Sequence, residues 1–345
     1  MNISFSKEHT LISKGIAIIL MMVHHLFYDF ESMQHFELFF GQREAAFWVA
    51  ASGVAKVCVA VFALLSGYGM YTSYRDTDTD VWQYVYKHIK KLLVMYWWAI
   101  IPFVIIGGAI TCSRPLAIVY GNGNDFYLKA LLDFLGIGYI IFGFQNMYNV
   151  TCWYVGEILV IYIMFPLLLK ISGYRLLKSL LLFYVVYLIS RKIPYFINFY
   201  LLCFIIGMIL AKYGILSRLA NNMHKAKLQF SILVLLILSV GLRLIVGLKA
   251  DLLLTFAIIG LALIIQREAE NFAKLFKFLG IYSANIFMTH TFFYYYFFSE
   301  YIHYPRYPIF VLIVLLINCL VYSTCLEWIK DRLLYCFNYS FKRNN

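Results

Sequence analysis

The stretch GIAIILMMVHHLFY, residues 15–28, decides the fold. Within the run 11–30 it is apolar and long enough to cross a bilayer, which takes about 20 residues. Yet it carries His24 and His25, with Asp29 one helical turn on. A titratable side chain in hydrocarbon is costly and marks function by default. The two imidazoles project about 100° apart on a helix, whereas Asp29, four residues past His25, shares its face. A carboxylate there can fix the tautomer of His25 and raise its basicity. The plainer reading is a histidine hydrogen-bonded inside a bundle.

The same apolar texture recurs along the chain, at 54–74, 92–110, 151–169, 176–191, 196–212, 228–246, 251–266, 280–299 and 308–326. Of the 345 residues 63% are hydrophobic and 13% charged, whereas soluble domains carry about a quarter charged residues. The expected fold is an all-α polytopic bundle of about ten transmembrane helices, forming a single domain over 1–345 with no linker. The first run lacks a small-x-small cleavage site and reads as a retained span. The run 130–145 is short and broken by glycine, which suits a re-entrant or interfacial segment. Twenty of the 29 lysines and arginines fall on the side of the termini when grouped by loop. The positive-inside rule then places both termini in the cytoplasm. The net charge of +12 is therefore read as topology rather than as a nucleic-acid footprint. Seven cysteines show no zinc-like spacing, and no metal is expected.

Several polar groups within the apolar runs are candidates for chemistry. Ser66-Gly67-Tyr68-Gly69 combines hydroxyls with close backbone approach, although small-residue helix packing alone explains it. Lys87, Lys90 and Lys91 cluster at the inner edge, where they suit lipid headgroups, a donor's phosphates, or topology alone. Glu157 is buried by sequence, to orient a histidine, bind a hydroxyl or act as a structural acceptor. His290, with Ser283 and Asn285, supplies a second deep imidazole followed by aromatics. Glu327 is expected to pair with a nearby basic residue or to cap the bundle, and Lys56 to snorkel. The segment 111–150, facing outward, either forms part of an acceptor pocket or is an ordinary interfacial loop.

Taken in order, these stretches resemble the membrane acyltransferase-3 family of integral membrane O-acyltransferases. The family opens with arginine, ten residues and histidine; KGIAIILMMVHH supplies Lys14, ten residues and His25. VFALLSGY resembles its second-span motif, KHIKKLL its basic motif, WYVGEILVIYIMFP its WFL/WYL stretch, and LGIYSANIFMTH its late histidine motif. The likeness covers nearly the whole chain. It departs at Lys14, which keeps the charge but loses the bidentate fork of arginine, and in a basic motif rich in lysine and histidine.

The resemblance implies transfer of acetyl from cytosolic acetyl-CoA to a sugar hydroxyl of an envelope or exported polysaccharide. It implies a multi-pass protein of a bacterial plasma membrane, whose partners are acyl-CoA, a carbohydrate or lipid-linked glycan acceptor and membrane lipids, with self-association left open. His25, rather than His24, would be the general base. Asp29 and Glu157 would support it, and His290 and Ser66 would position substrate or stabilise the oxyanion. Lys14, Lys87, Lys90, Lys91 and Tyr68 would hold coenzyme A. Two other classes compete: a proton-coupled transporter or flippase of a lipid-linked saccharide, which predicts repeated halves, and a ligand-sensing membrane module without chemistry.

Overall fold

The computed structural model describes residues 5–28, 38, 42–193 and 198–343; Asp29 lies outside them. Every regular element among them is helical. The main helices are α1 (Lys7–Phe27), α2 (Gln42–Ala55), α3 (Cys58–Arg75), α4 (Val81–Val104), α5 (Trp153–Ser172), α6 (Leu176–Ser190), α7 (Asn198–Lys212), α8 (Ala226–Val246), α9 (Asp251–Glu268), α10 (Glu270–Thr291) and α11 (Pro308–Arg343). Their starts follow local chemistry. The backbone N–H of Ser6 donates to His9 Nδ1 at 2.8 Å to open α1. Asp80 caps α4 by accepting from Trp82 N at 2.8 Å and Gln83 N at 3.1 Å, a device worth about 1 kcal/mol.

A helix lies in each of the ten expected apolar runs. Among the described residues, six helical runs are long and apolar enough to cross a membrane unaided, and counting the pair bent by 64° at Phe199–Lys212 and Ile215–Asn221 as one span gives a seventh. The chain is thus an all-α polytopic membrane bundle. The difference from ten has physical causes. At 15 residues, α6 reaches about 22 Å, short of a hydrocarbon layer. Helices α8 and α9 form one run, 226–268, and fold back on each other; a buried ion pair between Arg243 and Asp251 bridges them. Helix α10 is diluted by Ser283, Asn285, Thr289 and His290, all buried.

Two close helix contacts organise the bundle. A Cβ on Gly67 would overlap the Phe204 carbonyl oxygen, and one on Gly207 the Leu64 carbonyl oxygen, which fixes α3 against α7. In the same reciprocal way Gly15 meets the Phe276 carbonyl and Gly280 the Leu11 carbonyl, which fixes α1 against α10. Lipid offers no hydrophobic drive between helices, so close backbone approach at small residues carries such pairs. Gly15 packs near Phe276, and ten residues further along α1 His25 meets His290. Helices α1 and α10 therefore run parallel.

The segment 111–150 contains no helix long enough to span. Its second half breaks into Phe126–Phe134, Gly138–Phe142 and Phe144–Asn146. Asp133 is its buried centre: the Tyr120 hydroxyl and the Tyr148 backbone N–H each donate to Oδ2 at 2.7 Å, and the Tyr96 hydroxyl donates to the Asp133 carbonyl at 3.0 Å. Burial raises the Asp133 carboxyl above its ordinary value, against the pull of these donors.

Candidate active site

The parallel pairing of α1 and α10 delivers three imidazoles to one place. The ring centroids of His25 and His290 lie 4.9 Å apart, and those of His24 and His25 also 4.9 Å. His24 and His25 both face a cavity of about 1280 Å³ at this end of α1. The cavity is wide enough that two side chains about 100° apart on a helix reach it together. His290 sits behind His25, fully buried and stacked on Tyr294 with centroids 5.8 Å apart.

Hydrogen bonds set the rings apart chemically. His290 Nδ1 lies 2.9 Å from the Phe287 carbonyl and 3.1 Å from that of Ile286. A carbonyl only accepts, so Nδ1 carries the proton and Nε2 holds the lone pair when the ring is neutral. His24 Nδ1 donates in the same way to the Ser52 carbonyl at 3.0 Å. Among the described residues, none hydrogen-bonds to the His25 ring.

A hydroxyl chain runs from His290 into the bundle. Thr291 Oγ1 is 3.4 Å from His290 Nε2, Thr151 Oγ1 is 2.7 Å from Thr291 Oγ1, and Thr151 Oγ1 donates to Asn149 Oδ1 at 2.8 Å. Asn149 is held in turn by donating from Nδ2 to the Met288 carbonyl at 2.8 Å, which fixes Oδ1 as the end that accepts. The chain has two self-consistent polarities. With neutral His290, Thr291 donates to Nε2. With protonated His290, Nε2–H donates to Thr291, Thr291 to Thr151, and Thr151 to Asn149. The second closes every bond, so a positive charge on His290 meets a complete set of acceptors. Nothing in the sequence singled out Asn149, Thr151 or Thr291, because hydroxyl and amide residues at helix ends are commonplace.

A second, narrow cavity of about 150 Å³ lies on the opposite side of the histidines, lined by Lys14, Ser66, Tyr162, Ser283 and Phe287 among others. Lys14 to His25 spans 11 residues of α1, about 17 Å. Phe287 lines the narrow cavity, its ring 5.7 Å from that of Tyr154, which also lines it, and 6.3 Å from His290. Lys14 and Ser66 thus line the narrow cavity and His25 the wide one, with His290 packed beside His25.

Other expected residues are placed differently. The Tyr68 ring lies edge-on to Phe5 at 5.0 Å and does not line the narrow cavity with Ser66. Glu157 is buried in α5 and lines neither cavity. Lys87, Lys90 and Lys91 are exposed on the early turns of α4, with Lys91 in electrostatic reach of Lys14. Glu327 pairs with Lys330 at 2.8 Å and accepts from Asn285 at 3.0 Å, which ties α10 to α11. Lys56 turns to the large cavity, where Arg114, Gln145 and Thr151 of the segment 111–151 also reach.

No curated protein and no solved structure matches the chain. A family model described as an acyltransferase domain matches residues 12–328, which takes in the histidines of α1 and α10 and the residues lining both cavities. The chain belongs to the membrane acyltransferase-3 family.

Proposed function

We propose that the chain is a membrane O-acetyltransferase that moves acetyl from cytosolic acetyl-CoA to a sugar hydroxyl of an envelope or exported polysaccharide in a bacterial plasma membrane. The observation that carries this reading is the pair of cavities, one narrow and one wide, on either side of the contact between His25 and His290. With both termini cytoplasmic, as the basic residues suggest, the narrow one lies on the inner side. Lys14 stands there to meet coenzyme A phosphates, with Lys91 behind it. A thioester arm entering between Ser66 and Ser283 arrives at Phe287 and the histidines. The wide cavity opens outward and takes the acceptor.

His25 removes the proton from the acceptor hydroxyl as its oxygen attacks the thioester carbonyl. The tetrahedral intermediate collapses with loss of coenzyme A thiolate. The thiolate takes the proton back from His25, so the products are the acetyl ester and the free thiol. While His25 is charged, His290 and the hydroxyl chain ending on Asn149 supply acceptors that spread the charge. Neutral His290 offers a lone pair rather than an N–H at Nε2, which favours this supporting role over donation to the oxyanion.

The test uses purified protein in liposomes with acetyl-CoA and an envelope extract. Wild type releases coenzyme A only when extract is present, His25→Ala releases none above background, and His24→Ala retains most turnover. Equal release by His25→Ala and wild type would remove His25 as the base.

A further inference from the structure

Resting on the acceptor role proposed for the wide cavity, we infer that it takes an anionic glycan, one bearing carboxylate or phosphate groups. Two cations reach the cavity from different parts of the fold, Lys56 from the junction of α2 and α3 and Arg114 from the segment after α4. Among the described residues, no aspartate or glutamate lines it. Among the described residues, Lys56 forms no ion pair, and the two acids in electrostatic reach of these cations are already engaged. Asp251 is buried and paired with Arg243. Asp133, behind Arg114, is buried and holds Tyr120 and Tyr148.

Arg114 is built in place rather than loose on a surface. Its Nε donates to the Tyr148 carbonyl at 3.1 Å, and its guanidinium lies 3.8 Å from the centre of the Tyr296 ring. Carbonyls and ring faces hold a cation in position without cancelling its charge. A cavity to which the described residues bring two fixed positive charges and no acid repels cationic ligands and gains only weakly from neutral ones. Tyr294, Tyr295, Tyr296 and Trp153 on the same walls present the ring faces and hydroxyls that suit sugar rings. Its volume of about 1280 Å³ exceeds that of a small-molecule pocket, usually about 300–1,000 Å³, and fits several sugar units.

The experiment measures binding to the full chain in detergent without acetyl-CoA, so that it is independent of the transfer chemistry. Two matched pairs of probes are titrated at low salt: a glucuronate-containing oligosaccharide against its carboxyl-reduced counterpart, and a phosphorylated oligosaccharide against its dephosphorylated counterpart. At least one charged member is expected to bind about tenfold tighter than its neutral partner, the advantage shrinking as salt rises. Which pair shows the preference tells carboxylate from phosphate. Lys56→Met with Arg114→Met is expected to abolish the preference, and Lys56→Arg with Arg114→Lys to restore most of it. Equal affinity within each pair, absence of binding by all four probes, or a preference that survives the double methionine variant would overturn the inference. A protein that prefers the charged glycan but never releases coenzyme A keeps this site and loses the transferase reading. One that acetylates charged and neutral acceptors equally well does the reverse.

Discussion

Replacing Gly280 by alanine tests whether the contact of α1 with α10 sets the reacting geometry. The new methyl would collide with the Leu11 carbonyl oxygen, a backbone atom that cannot swing aside. Relief comes from parting the two helices by about 1 Å, since packed interiors hold no spare room. His290 lies ten residues beyond Gly280, about 15 Å along the same rigid helix, so the parting reaches the histidines. A misplacement of about 1 Å costs about 10²-fold in rate, or about 2.7 kcal/mol of barrier. Overpacking costs a further 1–3 kcal/mol, roughly, in stability. The assay is coenzyme A release in liposomes, normalised to folded protein by a thermal melt. Gly241→Ala is the control, because a methyl there meets nothing within 4 Å and is expected to leave turnover unchanged. A Gly280→Ala protein with wild-type turnover would refute the claim that this packing fixes His25 against His290.

Other expectations follow from neighbouring features. Thr291→Val interrupts the hydroxyl chain while keeping shape; turnover is expected to fall about tenfold at neutral pH, the loss of about one hydrogen bond to a charged group, with acceptor KM little changed. An unaltered rate would leave the chain structural. Phe287→Ala removes the ring that lines the narrow cavity next to His290, so coenzyme A release without acceptor is expected to rise several-fold, read as thioester hydrolysis in the absence of extract. For Asp133 the sign can be worked out. Burial raises its carboxyl, so over an interval above the ordinary value near 3.8 the folded chain binds a proton that the unfolded chain does not. The stability it contributes is full below the unfolded value and is lost as pH rises through the folded one. Melting temperatures of wild type are therefore expected to carry a downward step with rising pH that Asp133→Asn lacks; superimposable profiles would contradict this.

Much of the bundle was legible because hydrocarbon demands unbroken apolar helices, which is a property of composition along the chain. The number that span is less legible. Length and polarity blur at α6 and α10, and a tight hairpin such as α8–α9 reads as one run or two. Lys14, Ser66, His25 and His290 were picked by polarity at depth and by family likeness; the first two line the narrow cavity, His25 the wide one, and His290 packs beside His25. Tyr68 was picked for its hydroxyl beside Ser66, yet two residues further round a helix turn it about 200° away, onto Phe5. Glu157 shows the converse limit: burial read from sequence does not say whether a cavity lies beside the residue. Asn149, Thr151 and Arg114 belong to an irregular segment whose placement depends on the buried carboxylate of Asp133. No periodicity reports contacts of that kind.

The meeting of His25 with His290 also governs when the protein becomes competent. The partners are separated by about 265 residues, so α1 waits for α10. At ribosomal speeds of about 5–20 residues per second, that wait lasts some 13–53 s. During it a helix carrying two imidazoles has no α10 to cover them. No chain cut between residues 25 and 290 contains the complete pair. A cell is thereby spared fragments able to squander thioester, and two separately expressed pieces divided anywhere between these helices should each be inert until they associate.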